Sequence, residues 1–178
     1  MELVREIEAL PGCTTYISAL KDGYVKEGAD ELYRWLTEGY QLDITKLRRM
    51  PEDLPADDGI LSVELYHPTA AEEIAHQGLY QKWHGHRELQ LVCAGKQWMN
   101  FTPINADKGI ALPNIRTCTE FHRRKPCLGD NMNDASMLLR ADYSYAIGNA
   151  RKEIKGLTRF VADTNMNDGV LQVLRTIK

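Results

Sequence analysis

The sequence predicts an α/β protein in two parts: an α+β unit over residues 1–90, and part of a parallel α/β sheet with its helices over 91–178. Three observations carry this. Beyond Lys108, helix-like and strand-like runs alternate ("NDASMLLRA", "YSYAIG", "ARKEIKGL", "RFVAD", "DGVLQVLRTI"), the rhythm of parallel strands joined by crossover helices. Before Lys108, strand-like runs are joined by short turn signals, as in hairpins. The change of rhythm falls within residues 86–105, which sets the boundary there.

The elements follow in order. Leu3, Val4, Ile7 and Leu10 have helical spacing, and Pro11-Gly12 stops that helix. Residues 13–20, "CTTYISAL", are rich in β-branched and aromatic side chains, as strands are. "KDG" at 21–23 turns the chain into a returning strand. Residues 29–39 read as a short helix ended by Gly39, and 40–59, with two prolines and many charges, as mostly loop. In "ILSVELYHP", 60–68, Leu61, Val63 and Leu65 share one face of a half-buried strand that Pro68 stops. "TAAE", 69–72, has the form of a capping box opening a helix of roughly ten residues. "ELQLVCAG" and "QWMNFTPI" form a hairpin around "AGK".

The bulk numbers exclude several classes. A chain of 178 residues with 43% hydrophobic and 26% charged residues is an ordinary globular composition. A net charge of −3 gives no basis for binding nucleic acid or an anionic membrane. No apolar run approaches the roughly 20 residues that span a bilayer, and "MELVREIEAL" is too charged for a signal peptide. Cys13, Cys93, Cys118 and Cys127 are scattered without a CxxC, which reads as reduced thiols in a cytoplasmic protein.

The candidate site is "LGDNMNDASML", 128–138. Asp130 falls at the carboxyl end of a strand, where sites form in parallel α/β sheets. Aspartate and asparagine oxygens suit a hard cation, above all Mg2+. Asp134, at the start of the next helix, reads either as a cap of that helix or as part of a metal shell, and Asn133 likewise. Lys108, in "DKGIAL", opens a helix. It is a mobile point charge suited to phosphate or to a crowded carboxylate, although a lone lysine is more often solvated surface.

Taken in order, "DKGIAL", "LGDNMNDASML", "AIGNARKEIK" and "VADTNMNDGV" resemble the second half of the haloacid dehalogenase-like phosphatases of the Cof-type branch. Residues 1–85 resemble that branch's α+β class IIB cap. The resemblance implies Mg2+ as cofactor and phosphorylated small molecules, such as sugar phosphates, as substrates. It makes Asp130 the direct metal ligand, with Asp134 supporting the metal through its waters. Asn133 orients the nucleophile region, and Lys108 neutralises the nucleophile and the substrate phosphate. Pro113 departs from the family pattern and is expected to break the long helix.

Phosphatases of this kind form an aspartyl-phosphate. One aspartate attacks phosphorus and an acid two residues on protonates the leaving oxygen. No two of the aspartates here are two residues apart, and "ADDGI", 56–60, reads as a turn. The expectation is a cap plus carboxyl-terminal half-core, truncated and inactive alone, with the strand before Asp130 exposing an edge. A separate amino-terminal fragment or a homodimer would complete that edge. The alternative is a non-catalytic binding or regulatory remnant of the same family.

Other features weigh less. His84 and His86, with His76 nearby, have a strand-like spacing for zinc, but no cysteine or carboxylate pattern completes a structural site. His67 reads as a surface residue at a strand end. Trp35, Trp83 and Trp98 read as core or cap-interface residues, and "RRK", 123–125, as a solvated turn.

Overall fold

A computed structural model describes residues 1–118 and 126–176, apart from the side chains of Arg116 and Cys118. The run Arg123-Arg124-Lys125 and the Cys118 thiol therefore lie outside the described residues. The chain divides into two compact units, Met1–Ile104 and Asn105–Lys178. A boundary at 90/91 would cut through a strand paired along its length in a hairpin, so the division comes after that hairpin.

The first unit is a six-stranded sheet. Its elements are α1 (Glu2–Glu8), β1 (Thr14–Ala19), β2 (Gly23–Lys26), α2 (Asp30–Arg34, continued by a π turn over Trp35–Gly39), β3 (Ile44–Leu47), β4 (Ile60–Tyr66), α3 (Ala71–Gly78), α4 (Tyr80–Trp83), β5 (Leu89–Gly95) and β6 (Trp98–Pro103). The strand order is β3-β2-β1-β4-β6-β5, antiparallel except for the β2–β3 pair. On one face, Leu3 and Ile7 of α1 and Ala71, Ala75, Leu79 and Trp83 of α3–α4 bury against Leu65, Cys93, Met99 and Phe101. On the other, Leu32 of α2 and Leu36 of its π turn pack on Val25 and Tyr66.

Residues 40–59 are mostly loop, as expected, and contain the four-residue β3, which pairs in parallel with β2. Three local expectations need correction here. The strand β4 is central, so its last residues Glu64, Leu65 and Tyr66 are buried on both faces. The capping box at 69–72 does not form: α3 starts at Ala71 without a side-chain cap. Its entry is held by His67 Nδ1, which accepts from the Thr69 and Ala70 amides at 3.2 and 3.1 Å, and by the Lys96 carbonyl, which accepts from Ala71. His84 ends α4 and the His86 ring lies tilted against Trp83, so the two do not alternate along a strand as zinc ligands would.

The second unit holds α5 (Lys108–Cys118), β7 (Pro126–Gly129), α6 (Ala135–Arg140), β8 (Tyr143–Ala146), α7 (Lys152–Leu157), β9 (Phe160–Val161) and α8 (Gly169–Arg175). The three strands are parallel in the order β7-β8-β9, so among the described residues β7 is an edge. Leu138, Ile154 and Leu112 from the helices pack against Cys127 and Ala146. Pro113 lies inside α5 and does not break it. Its missing N–H would have bonded the Gly109 carbonyl. Arg140 Nη1 donates to that carbonyl instead, at 3.3 Å.

Candidate active site

The site is built where β7 ends. The strand delivers Asp130 with its carboxylate exposed, and the chain turns at once through a 3-10 turn, Met132–Asp134, into α6. Asn131, not Asn133 or Asp134, caps this turn: its Oδ1 accepts from the Met132 amide at 2.8 Å. Asp134 makes no cap hydrogen bond. It is only 6% exposed, and its two oxygens face two different partners. Oδ1 accepts from Lys108 Nζ at 2.5 Å, and Oδ2 accepts from the Asp130 amide at 3.1 Å. A buried carboxylate with a cation on one oxygen and an amide on the other is compensated for leaving water.

This closure depends on Gly129. A Cβ there would stand 2.6 Å from Asp134 Cβ, so any side chain would push Asp134 off the Asp130 amide. The loop after β8 braces the same turn, since Ile147 donates to the Gly129 carbonyl and Arg151 to the Asp130 carbonyl, both at 3.0 Å.

Lys108 is aimed from the other side by the first turn of α5. Asp107 caps that helix, its Oδ1 accepting from the Gly109 and Ile110 amides at 2.8 and 3.0 Å. Its Oδ2 accepts from Ser136 Oγ at 2.6 Å, which ties α5 to α6. Burial alone would raise the Asp107 carboxyl, but these hydrogen bonds hold it below its ordinary value. Gly109 allows the approach, because a Cβ there would meet the Ser136 backbone at 2.6 Å. Asp107, Ser136 and Arg140 were missed in reading the sequence. Only Asp107 left a signal, an aspartate immediately before a helix start.

The structure thus brings Lys108, Asp134 and the Asp130 backbone together. Asn133 sits in the same turn, and its Oδ1 is buried with no hydrogen-bond partner. Exposed Asp130 and this orphaned Asn133 oxygen are hard oxygen donors, the kind Mg2+ takes. Asp134 has both oxygens engaged, so its support for a metal would be indirect. Among the described residues no group of three or more His, Cys, Asp or Glu is placed to hold a metal ion. The donors present fit Mg2+ in kind and form a partial set. Lys108 and Asp107 also line an open cavity of about 390 Å³ formed by residues 105–114.

The described residues thus form a three-stranded parallel α/β unit with a strand-end carboxylate turn, and an α+β unit. The chain belongs to the haloacid dehalogenase-like hydrolases, whose profile it matches over residues 2–174. A Bacillus subtilis 5-amino-6-(5-phospho-D-ribitylamino)uracil phosphatase is 27% identical over 90 residues, which are 50% of this chain and 36% of the relative. A haloacid dehalogenase-like hydrolase from B. subtilis superposes with TM-score 0.81 at 19% identity, covering 99% of this chain and 69% of that one. A sugar phosphatase of haloacid dehalogenase subclass IIB superposes with TM-score 0.70 at 13% identity, covering 97% and 63%. The chain thus spans about a third of that curated relative and about two thirds of those structures. Among the described residues no helix is long and apolar enough to cross a membrane.

Proposed function

We propose that this chain carries the lysine and metal half of a magnesium-dependent phosphohydrolase site for small phosphorylated metabolites such as sugar phosphates. The observation that carries the reading is Lys108 Nζ held 2.5 Å from Asp134, at the strand end that presents Asp130. An ammonium has three donors. One is spent on Asp134, and the half-exposed side chain keeps the others for phosphate oxygens. Asp134 fixes both Lys108 and the Asp130 turn. Asp130 and Asn133 would hold Mg2+, which when bound supplies charge neutralisation at a phosphoryl group.

No aspartate pair two residues apart exists in these 178 residues, so the nucleophile and the leaving-group acid come from outside them. On their own the 178 residues bind without turnover. The open edge of β7 is where a complementing segment or a second copy would add. The cap role of the first unit and a cytoplasmic location, suggested by four scattered cysteines with no CxxC, belong to the same proposal.

The test is hydrolysis of p-nitrophenyl phosphate with Mg2+. The chain alone should stay at background. A fusion to the strand-and-Asp-x-Asp segment of a Cof-type relative should turn over, and Lys108→Ala in that fusion should cost roughly a hundredfold or more. Turnover by the 178 residues alone that disappears in Asp130→Ala would overturn the reading.

A further inference from the structure

On the face of the first sheet that carries α2, a cavity of about 250 Å³ opens beside β4, lined by Tyr16, Leu36, Tyr40, Glu64, Trp98 and Asn100, among others. Strand register explains the grouping. Glu64 on β4 stands directly opposite Tyr16 on β1 and Asn100 on β6. Trp98, two residues from Asn100, points to the same face and stacks on Trp35 at 5.5 Å, and Trp35 in turn meets Tyr40 at 5.5 Å.

Glu64 is the unusual member. It is 8% exposed, in the middle of a six-stranded sheet. Ser62 Oγ donates to its Oε1 at 2.6 Å, and its Oε2 is buried with no partner. None of the cavity-lining residues is Lys, Arg or His, so the wall itself offers no counter-charge. A buried carboxylate normally has one, because leaving it unpaired is among the costlier things a fold can do. Burial accordingly pushes the Glu64 carboxyl up to about 7, which marks the missing partner without identifying it.

The wall chemistry does identify it. Aromatic faces carry negative charge density and attract cations, most of all when water is excluded. A carboxylate beside Trp98, Tyr16 and Tyr40 attracts the same charge. The volume lies below the roughly 300–1,000 Å³ of sites for drug-sized ligands, which limits the occupant to fragment size. We propose that this cavity is a binding site for a small organic ammonium ion with an apolar ring, whose N–H groups pair with Glu64 Oε2 and whose body lies against Trp98 and the tyrosines. Asn100 adds an amide oxygen for a second N–H. All lining residues fall within 1–104, so the inference stands apart from the phosphohydrolase reading.

The experiment compares benzylamine with its neutral isostere benzyl alcohol at about pH 8, where an amine of ordinary basicity is protonated. Binding is followed by tryptophan fluorescence and by amide shifts of the isotope-labelled full chain. Saturable binding of benzylamine is expected, about tenfold tighter than the alcohol, with shifts at residues 16, 64 and 100. Glu64→Gln should reduce benzylamine to the level of the alcohol. Ala94→Leu, on edge strand β5, leaves Glu64 in place and fills part of the cavity, and it should weaken both ligands. Equal affinity for amine and alcohol, absence of saturable benzylamine binding, or undiminished binding by Glu64→Gln would overturn the proposal.

Discussion

Two buried carboxylates, one in each unit, are treated in opposite ways. Asp134 is 6% exposed and Glu64 is 8% exposed. Asp134 receives a lysine on one oxygen and a backbone amide on the other. Glu64 receives one serine hydroxyl, and its second oxygen has no partner. Burial is nearly equal, so burial does not decide what a carboxylate does. Its partners decide. Full pairing turns Asp134 into a brace that orients a lysine and a strand-end turn. Partial pairing leaves Glu64 with unused capacity facing a cavity. The first arrangement stabilises a geometry, and the second holds a stability deficit that a ligand can relieve.

Removing the brace should have the largest effect. Asp134→Ala leaves Lys108 unpaired and the Asp130 amide without its acceptor. Because Lys108 is half exposed, the expected loss is about 2–3 kcal/mol rather than the full value of a buried pair. All three tryptophans lie in the first unit, so fluorescence will not report this loss. Amide exchange will: residues 127–135 should exchange about thirtyfold faster or more, while β1 and β4 stay unchanged. Equal acceleration in both units would remove the basis of the comparison.

Glu64 should show its deficit as a pH dependence. Its carboxyl sits at about 7 in the folded chain against 4.5 ordinarily, so the folded state favours the protonated form. That contribution is complete below about 4.5 and is lost as pH rises through about 7. Tryptophan-detected unfolding of the first unit should therefore weaken by about 3 kcal/mol between pH 4.5 and pH 8 through this group. Glu64→Gln should flatten that segment of the profile, whereas Asp134→Asn should leave it intact. A profile that keeps its slope in Glu64→Gln would mean another group carries it.

Smaller effects test how Lys108 is aimed. Asp107→Ala removes the cap of α5 and the partner of Ser136, and should lower the unfolding midpoint of the second unit by an amount equivalent to about 1–2 kcal/mol. Smallest of all, Arg140→Met exposes the Gly109 carbonyl that Pro113 leaves without its helical donor, and about 1 kcal/mol or less should go. An Arg140→Met effect larger than that of Asp107→Ala would show that the proline defect, not the cap, governs the start of α5.

Much of this was legible in the sequence where information is local. The β1–β2 turn, the β5–β6 hairpin and the strand–helix alternation after Lys108 follow from nearby residues and their periodicity. So does the strand-end position of Asp130. What could not be read depends on distant partners. The four residues of β3 carry no strong strand pattern and are held by pairing with β2. "TAAE" has the letters of a capping box, but His67 and the Lys96 carbonyl take the amides first. Pro113 reads as a helix breaker until Arg140, 27 residues on, is seen to satisfy the freed carbonyl. Glu64 reads as the polar face of a half-buried strand, because nothing local says that β4 lies between β1 and β6 with α2 packed on the same face.

The central claim is that Asp130, beside the Lys108–Asp134 pair, marks a hard-cation and phosphate half-site. Its most direct test is a manganese titration of the isotope-labelled chain, because paramagnetic broadening registers weak as well as tight binding. Amides 129–134 should broaden first, excess Mg2+ should restore them, and Asp130→Asn should abolish the effect while the rest of the spectrum is unchanged. Broadening spread over surface carboxylates elsewhere, or an unchanged pattern at 129–134 in Asp130→Asn, would contradict the claim.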